Sequence, residues 1–396
     1  MRKSLLGLVA VCALGCGSSG SSSTSFGPPG ADTTDPSDDP SGGGSGSHSA
    51  EPSTGSTSSG TATESAGASA APSSGSTSTS TETGAYDASV SDPNSSEADI
   101  LTAGIWDDGL NYSFFTSYLA KNNSMPGSPG FSVSDFDASH TEFATRSPHA
   151  HLDATLVIDT TGSMSDELSY LTAEFANITS AVSSAFPSVD QRWALVVYRD
   201  RPNTDPGDDY VVKSYDFTSD MGSFAATVSA QTAANGGDYP ESPDLGLEQM
   251  QQLSWRSDSD VAKLAFWVGD APDHVEYASE LKQAIVDAHT AGIHIYPVSG
   301  SGTDDLLELS MRSAAAITGG RYMFLTDDSG VGDPHKTPEI PCYFVTKLAK
   351  DLVRAISMEV TATYIGPTSS DIIRTVGDPS AAGQCPINDG GTVQIF

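Results

Sequence analysis

The sequence predicts an α/β protein: a doubly wound, mostly parallel sheet flanked by helices and preceded by a disordered linker. Three observations predict it. From His151 onward, strand-like and helix-like patterns alternate, as they do in units that build parallel sheets. The apolar runs Leu156-Val157-Ile158 and Leu264-Ala265-Phe266-Trp267-Val268 are followed by acids, Asp159 and Asp270, and sites in such sheets lie at strand carboxyl ends. From Gly17 to about Gly84 the chain is mostly Ser, Thr, Gly and Pro, with Ala and a few acids. Such a stretch cannot bury enough apolar surface to offset its ordering entropy, so it reads as a tether.

The elements follow in order. Leu152–Asp159 is a first strand. Asp166–Phe186 is a helix, because Leu168, Leu171, Phe175, Ile178 and Val182 recur three or four apart. Trp193–Tyr198 is a central apolar strand, and Asp209–Asp216 a polar, alternating one suited to a sheet edge. Helical pattern returns over Met221–Thr232 and Ser242–Leu253. Lys263–Val268 is a strand, and Ser279–Thr290 a helix stopped at Gly292. Ile293–Val298 is a strand, Asp304–Thr318 a helix ending at Gly319-Gly320, Tyr322–Leu325 a strand and Val345–Glu359 the last helix. The organisation reads as a signal over 1–16, linker over 17–95, N-terminal extension over 96–150, main domain over 151–362 and tail over 363–396. The extension is expected to dock through Trp106, Phe114, Phe115 and Tyr118.

The start Met1-Arg2-Lys3, the apolar run Leu5 to Leu14 and the small exit residues describe an export signal. Ala13-Leu14-Gly15-Cys16 resembles a bacterial lipobox, which implies lipidation of Cys16 and, by analogy, an exported outer-membrane lipoprotein facing periplasm or cell surface. The apolar run is too short to span a bilayer. Of four cysteines, Cys12 lies in the signal and Cys16 would carry lipid. Cys342 and Cys385 remain, and an oxidising compartment makes one disulfide the natural reading. The net charge is −33, and no Lys or Arg occurs between Lys3 and Lys121. Nucleic acid is excluded as a partner, since binding it needs cations to neutralise phosphate.

The chemistry concentrates in Asp159-Thr160-Thr161-Gly162-Ser163-Met164. A carboxylate and two hydroxyls alternate where a strand hands over to a helix, and Gly162 permits a tight turn. All-oxygen surroundings suit hard cations, Mg²⁺ first, with Mn²⁺ or Ca²⁺ as alternatives. The bland reading is that Thr and Ser cap the following helix. The string resembles the Asp-x-Ser/Thr-x-Ser signature of the metal-ion-dependent adhesion site of von Willebrand factor A domains. Gly269-Asp270-Ala271-Pro272 is similar to the strand end that closes this site in bacterial A domains, and Gly236-Gly237-Asp238-Tyr239-Pro240-Glu241 to their middle loop. The resemblance covers about Leu152 to Ala362. It implies a metal held by Asp159, Thr161, Ser163 and Asp270, and a protein ligand whose exposed acidic residue fills the open position. Better-known members carry Thr in the middle loop. With Asp238 there, two roles stay open: metal binding, directly or through water, or holding the loop. Tyr198-Arg199-Asp200 and Leu325 to Gly330 also resemble the bacterial subgroup, with Asp327-Asp328 either a second cation site or solvated loop acids.

No enzyme is expected. His149, His151 and His274 do not form a zinc-hydrolase string, and Ser163 lacks a nucleophile elbow. The expected function is a membrane-tethered domain that binds a protein partner through a divalent metal, in adhesion or envelope interaction. The alternative is a structural or assembly module of an envelope complex, and a metal-dependent hydrolase ranks last.

Overall fold

A computed structural model describes residues 99–136, 146–201, 209–388 and 390–396. The expected signal, Cys16 and the linker lie outside the described residues. The chain runs β1 (Thr102–Trp106), α1 (Tyr112–Asn122), β2 (His151–Asp159), α2 (Leu168–Ala185), β3 (Asp190–Tyr198), β4 (Val212–Thr218), α3 (Met221–Ser229) and α4 (Pro243–Gln251). It continues with β5 (Val261–Gly269), α5 (Ala278–Thr290), β6 (His294–Ser299), α6 (Asp305–Thr318) and β7 (Tyr322–Leu325). Then come β8 (Tyr343–Lys347), α7 (Leu348–Thr361), β9 (Arg374–Val376) and a small hairpin, β10 (Gln384–Pro386) with β11 (Thr392–Gln394).

The main sheet has nine strands in the order β4-β3-β2-β5-β6-β7-β1-β8-β9. Its centre, β3-β2-β5-β6-β7, is parallel, and the pairs outside it are antiparallel. After β2 the chain winds to one side, through β3 and β4, and then to the other, through β5, β6 and β7. The order therefore reverses between β2 and β5, which opens a crevice outside their carboxyl ends.

The central strands are apolar on both sides because helices cover both faces. Along β2, Val157 packs with one face and Leu156 and Ile158 with the other. The Val157 side is covered by Phe115 of α1, Leu247 of α4, Leu281 of α5 and Leu307 of α6. The opposite side is covered by Leu171 of α2, Phe224 of α3 and Leu352 of α7.

Two features differ from the sequence reading. Tyr343–Lys347 is a strand, not the start of the last helix. Val345, Leu348 and Leu352 keep helical spacing across the junction, so periodicity reads through it, while the Tyr-Phe-Val-Thr run suits a pleated surface. The N-terminal extension also does more than lie against the domain. β1 enters the sheet between β7 and β8, with Ala103 opposite both Leu325 and Thr346. Trp106, Phe115 and Tyr118 are buried, and Phe114 packs at the edge of the same cluster.

Buried ion pairs hold this insertion. The Arg312 guanidinium donates to both oxygens of Asp108, at 2.9 and 2.7 Å, and to Glu308 at 3.1 Å. Trp106 Nε1 donates to Asp108 at 2.9 Å. Next to it, Arg321 lies 3.2 Å from Asp107 and donates to the Tyr296 hydroxyl at 2.7 Å. Cys342 and Cys385 are bridged, with Cα atoms 6.1 Å apart. The bridge ties the entrance of β8 to the terminal hairpin. Closing its 43-residue separation restricts the unfolded chain by about 4 kcal/mol on loop-closure grounds.

Candidate metal centre

Asp159 closes β2, and Asp270 directly follows β5. These two strands are neighbours at the crevice where the order reverses. Asp159 is fully buried and Asp270 is 4% exposed. Asp159 Oδ1 accepts the Thr161 N–H at 2.8 Å and the Thr161 hydroxyl at 2.6 Å. Thr161 Oγ1 is 3.2 Å from Ser163 Oγ. Thr161 stands at the N-cap of a 3₁₀ turn, Gly162–Asp166, yet its side chain caps nothing there. The hydroxyl faces Asp159 and Ser163 instead, so helix capping does not explain this string.

Gly162 lies in the expected tight turn, where the Met164 N–H donates to the Thr161 carbonyl at 3.2 Å, but its backbone is not left-handed and does not by itself demand glycine. Its role is close approach. The N–H donates to the Asn235 carbonyl at 2.7 Å, and a Cβ would sit 2.9 Å from that oxygen. Across the contact, Gly236 has φ +107°, and a Cβ there would meet Thr161 Cβ at 2.8 Å. Two glycines thus let the middle loop lie directly on the Asp159–Ser163 turn.

That loop carries two acids, which differ in burial. Asp238 is exposed, whereas Glu241 is 3% exposed. Glu241 N–H donates to the Pro272 carbonyl at 2.9 Å, which aligns the loop beside the Asp270 exit. Burial, followed by the charges of Asp159, Asp200 and Asp270, pushes the Glu241 carboxyl up to about 11, while the Thr161 hydroxyl works against the shift. Burial raises Asp159 to about 6, opposed by its bonds to Thr161. Burial and then Asp159 raise Asp270 to about 8, opposed by Ser163. The structure therefore brings Asp159, Thr161, Ser163 and Asp270 together beside buried Glu241, while Asp238 is exposed.

Asp159 Oδ2, Asp270 Oδ1 and Glu241 Oε2 are buried with no hydrogen-bond partner. Buried carboxylate oxygens without donors are costly. A divalent cation among them would answer that cost, and the donors are the hard oxygens that Mg²⁺ or Mn²⁺ prefer. Thr161 gives its proton to Asp159, so its lone pairs remain available. Among the described residues, no group of three or more His, Cys, Asp or Glu side chains has the arrangement to hold an ion alone. The set here is mixed, because two of its donors are hydroxyls.

The remaining candidates are accounted for. His274 Nε2 lies 2.7 Å from Asp200 Oδ1, which also accepts the Ser242 hydroxyl at 3.1 Å. His151 opens β2, about 26 Å along the strand from Asp159. Asp328 pairs with Arg374 at 2.7 Å, and Asp327 with His335 at 2.9 Å. Arg199 donates to the Thr160 carbonyl at 3.1 Å and so braces the Asp159–Ser163 turn from behind.

No protein-family description and no curated protein matches the chain. Solved structures similar to it include the conserved hypothetical protein BatB from Bacteroides thetaiotaomicron, 13% identical, covering 53% of this chain and 98% of that one, with a TM-score of 0.35. The pilus adhesin SpaC from Lactobacillus rhamnosus GG, in its open conformation, is also 13% identical. That match covers 44% of this chain and 29% of the adhesin, with a TM-score of 0.33. The chain thus spans less than a third of the adhesin's length. Neighbours this distant assign no activity.

Proposed function

We propose that this chain carries a von Willebrand factor A-type domain that binds a protein partner through a divalent cation at the β2–β5 crevice. The observation that carries this reading is the pair of orphaned oxygens, Asp159 Oδ2 and Asp270 Oδ1, on neighbouring strand ends. Asp159, Thr161, Ser163 and Asp270 hold the cation, directly or through water, and Glu241 adds negative charge beside it. The bound ion supplies a Lewis-acidic position for one carboxylate oxygen of the partner. Ser163 is exposed, so the site can be reached from outside. Among the described residues no helix is long and apolar enough to cross a membrane, and attachment is proposed at Cys16.

The test is capture of envelope proteins by the full-length chain in Mg²⁺ and in chelator, with Asp270→Ala as control. A partner retained only in Mg²⁺ and lost with Asp270→Ala is expected. Retention indifferent to both would leave an assembly module without metal-dependent binding. For the anchor, the Cys16→Ser chain is expected to move from membranes to the soluble fraction. If it stays on carbonate-washed membranes, lipidation at Cys16 is not what holds it.

A further inference from the structure

Residues 326–336 leave β7 and fold back toward the crevice. Asp327–Ser329 form a 3₁₀ turn closed by Gly330 in left-handed backbone. The Asp333 N–H then donates to Asp166 Oδ2 at 2.9 Å, at the end of the turn that carries Ser163. His335, its side chain only 3% exposed, follows between two carboxylates. Its Nε2 is 2.9 Å from Glu167 Oε1, and its Nδ1 is 2.9 Å from Asp327 Oδ1. Its backbone N–H also donates to Asp327 Oδ1, at 2.8 Å.

The two carboxylates differ in surroundings. Glu167 is fully buried, accepts the Ser301 N–H at 2.9 Å and bears electrostatically on Asp270. A Cβ on Gly332 would sit 2.4 Å from Glu167 Oε1, so the strap lies directly on this side chain. Asp327 is 69% exposed at its side chain. A neutral imidazole has one N–H and can donate to only one carboxylate, whereas the protonated ring donates to both.

We propose that His335, protonated and bonded to both Glu167 and Asp327, is a latch that fastens residues 326–336 against the flank of the cation site. This deepens the reading of that site by giving it a regulator, but the latch can be tested with no cation present. The other charges nearby are engaged elsewhere. Lys336 is held by Asp305 and Glu308, Arg374 by Asp328, and Asp166 by the Asp333 N–H.

Burial opposes the charge on His335, but the bonds to Glu167 and Asp327 outweigh it and raise its pKa. The sign follows. The latch is fully formed below the unfolded value of about 6.5 and is lost as pH rises through the raised folded value. The exposed Asp327 side then lets go, because water can replace the ring there, whereas buried Glu167 would keep only the Ser301 N–H.

The experiment is hydrogen exchange of the Ser301, Asp333 and His335 amides in the full-length chain with chelator, from about pH 5.5 to about pH 8.5, corrected for intrinsic rates. Wild-type protection should be constant at first and then fall by up to about tenfold per pH unit, as one-proton linkage requires. His335→Gln should show low protection with no such fall. Asp327→Asn, on an exposed side chain, should move the fall to lower pH. Identical profiles in wild type and His335→Gln, or no displacement by Asp327→Asn, would overturn the latch. A repeat in Mg²⁺ separates the two ideas. Unchanged Ser301 protection with the pH profile intact would count against the cation site and leave the latch standing.

Discussion

Arg312→Ala is expected to destabilise the fold by about 3–5 kcal/mol, the usual cost of breaking a buried ion pair from one side. Asp108 and Glu308 are each 1% exposed at the side chain and would lose their guanidinium partner. Lys336, 3.5 Å from Glu308, relieves only one of them. The packing of Arg312 over the Tyr118 ring, 3.7 Å from its centroid, would go as well. Domains are typically stable by only about 5–15 kcal/mol, so this is a large fraction of the total. Thermal unfolding by circular dichroism should register a drop of roughly 6–20 °C. Arg312→Met combined with Asp108→Asn should cost less, because fewer bare charges remain. A single-variant loss below about 1 kcal/mol would mean that the N-terminal strand is an accessory and not part of the fold.

Adding Mg²⁺ should stabilise the chain by about 2.7 kcal/mol at a hundredfold excess over the dissociation constant, and the gain should grow with pH. Asp159, at about 6, and Asp270, at about 8, both lie above the ordinary carboxylate range. In the unfolded chain they ionise near pH 4. Between that value and the folded ones the unfolded state binds fewer protons, so the metal-free fold loses stability as pH rises. A cation removes the penalty. The melting temperature with and without Mg²⁺ should therefore diverge from about pH 5 to about pH 8. Asp159→Asn should raise the metal-free melting temperature at pH 8 and abolish the response. An equal Mg²⁺ response in wild type and Asp159→Asn would refute the site.

Much of the candidate site's grouping was legible because its side chains are nearly consecutive. Asp159, Thr161 and Ser163 sit where an apolar run stops, and Asp270 at the end of another. The difference in burial between Asp238 and Glu241 was not legible. Asn235, Gly236 and Gly237 all have positive φ, at 62°, 107° and 71°. Through such a stretch no period relates position to direction, so two acids three apart cannot be told inner from outer. A weak signal existed, since Glu241 stands between Pro240 and the start of a buried helix. The order from Leu152 to Leu325 was readable from periodicity alone. The places of β1 and β8 were not, because local pattern reports an element's kind and not its distant neighbours. The Cys342–Cys385 bridge was readable by counting thiols, whereas the His335 contacts depend on a loop path without periodicity.

The position of β1 also bears on how the molecule is made. The Thr102 hydroxyl meets the Thr326 carbonyl, 224 residues later, and β1 pairs on its other side with a strand later still. Contacts of such separation slow folding, since loop closure comes before any reward. Once β7 has been synthesised β1 can pair with it, but until β8 follows the other side of β1 stands as an open edge able to pair with other chains. The sheet is therefore closed around β1 only after both β7 and β8 have been made. A partly synthesised copy would be most prone to mispairing there.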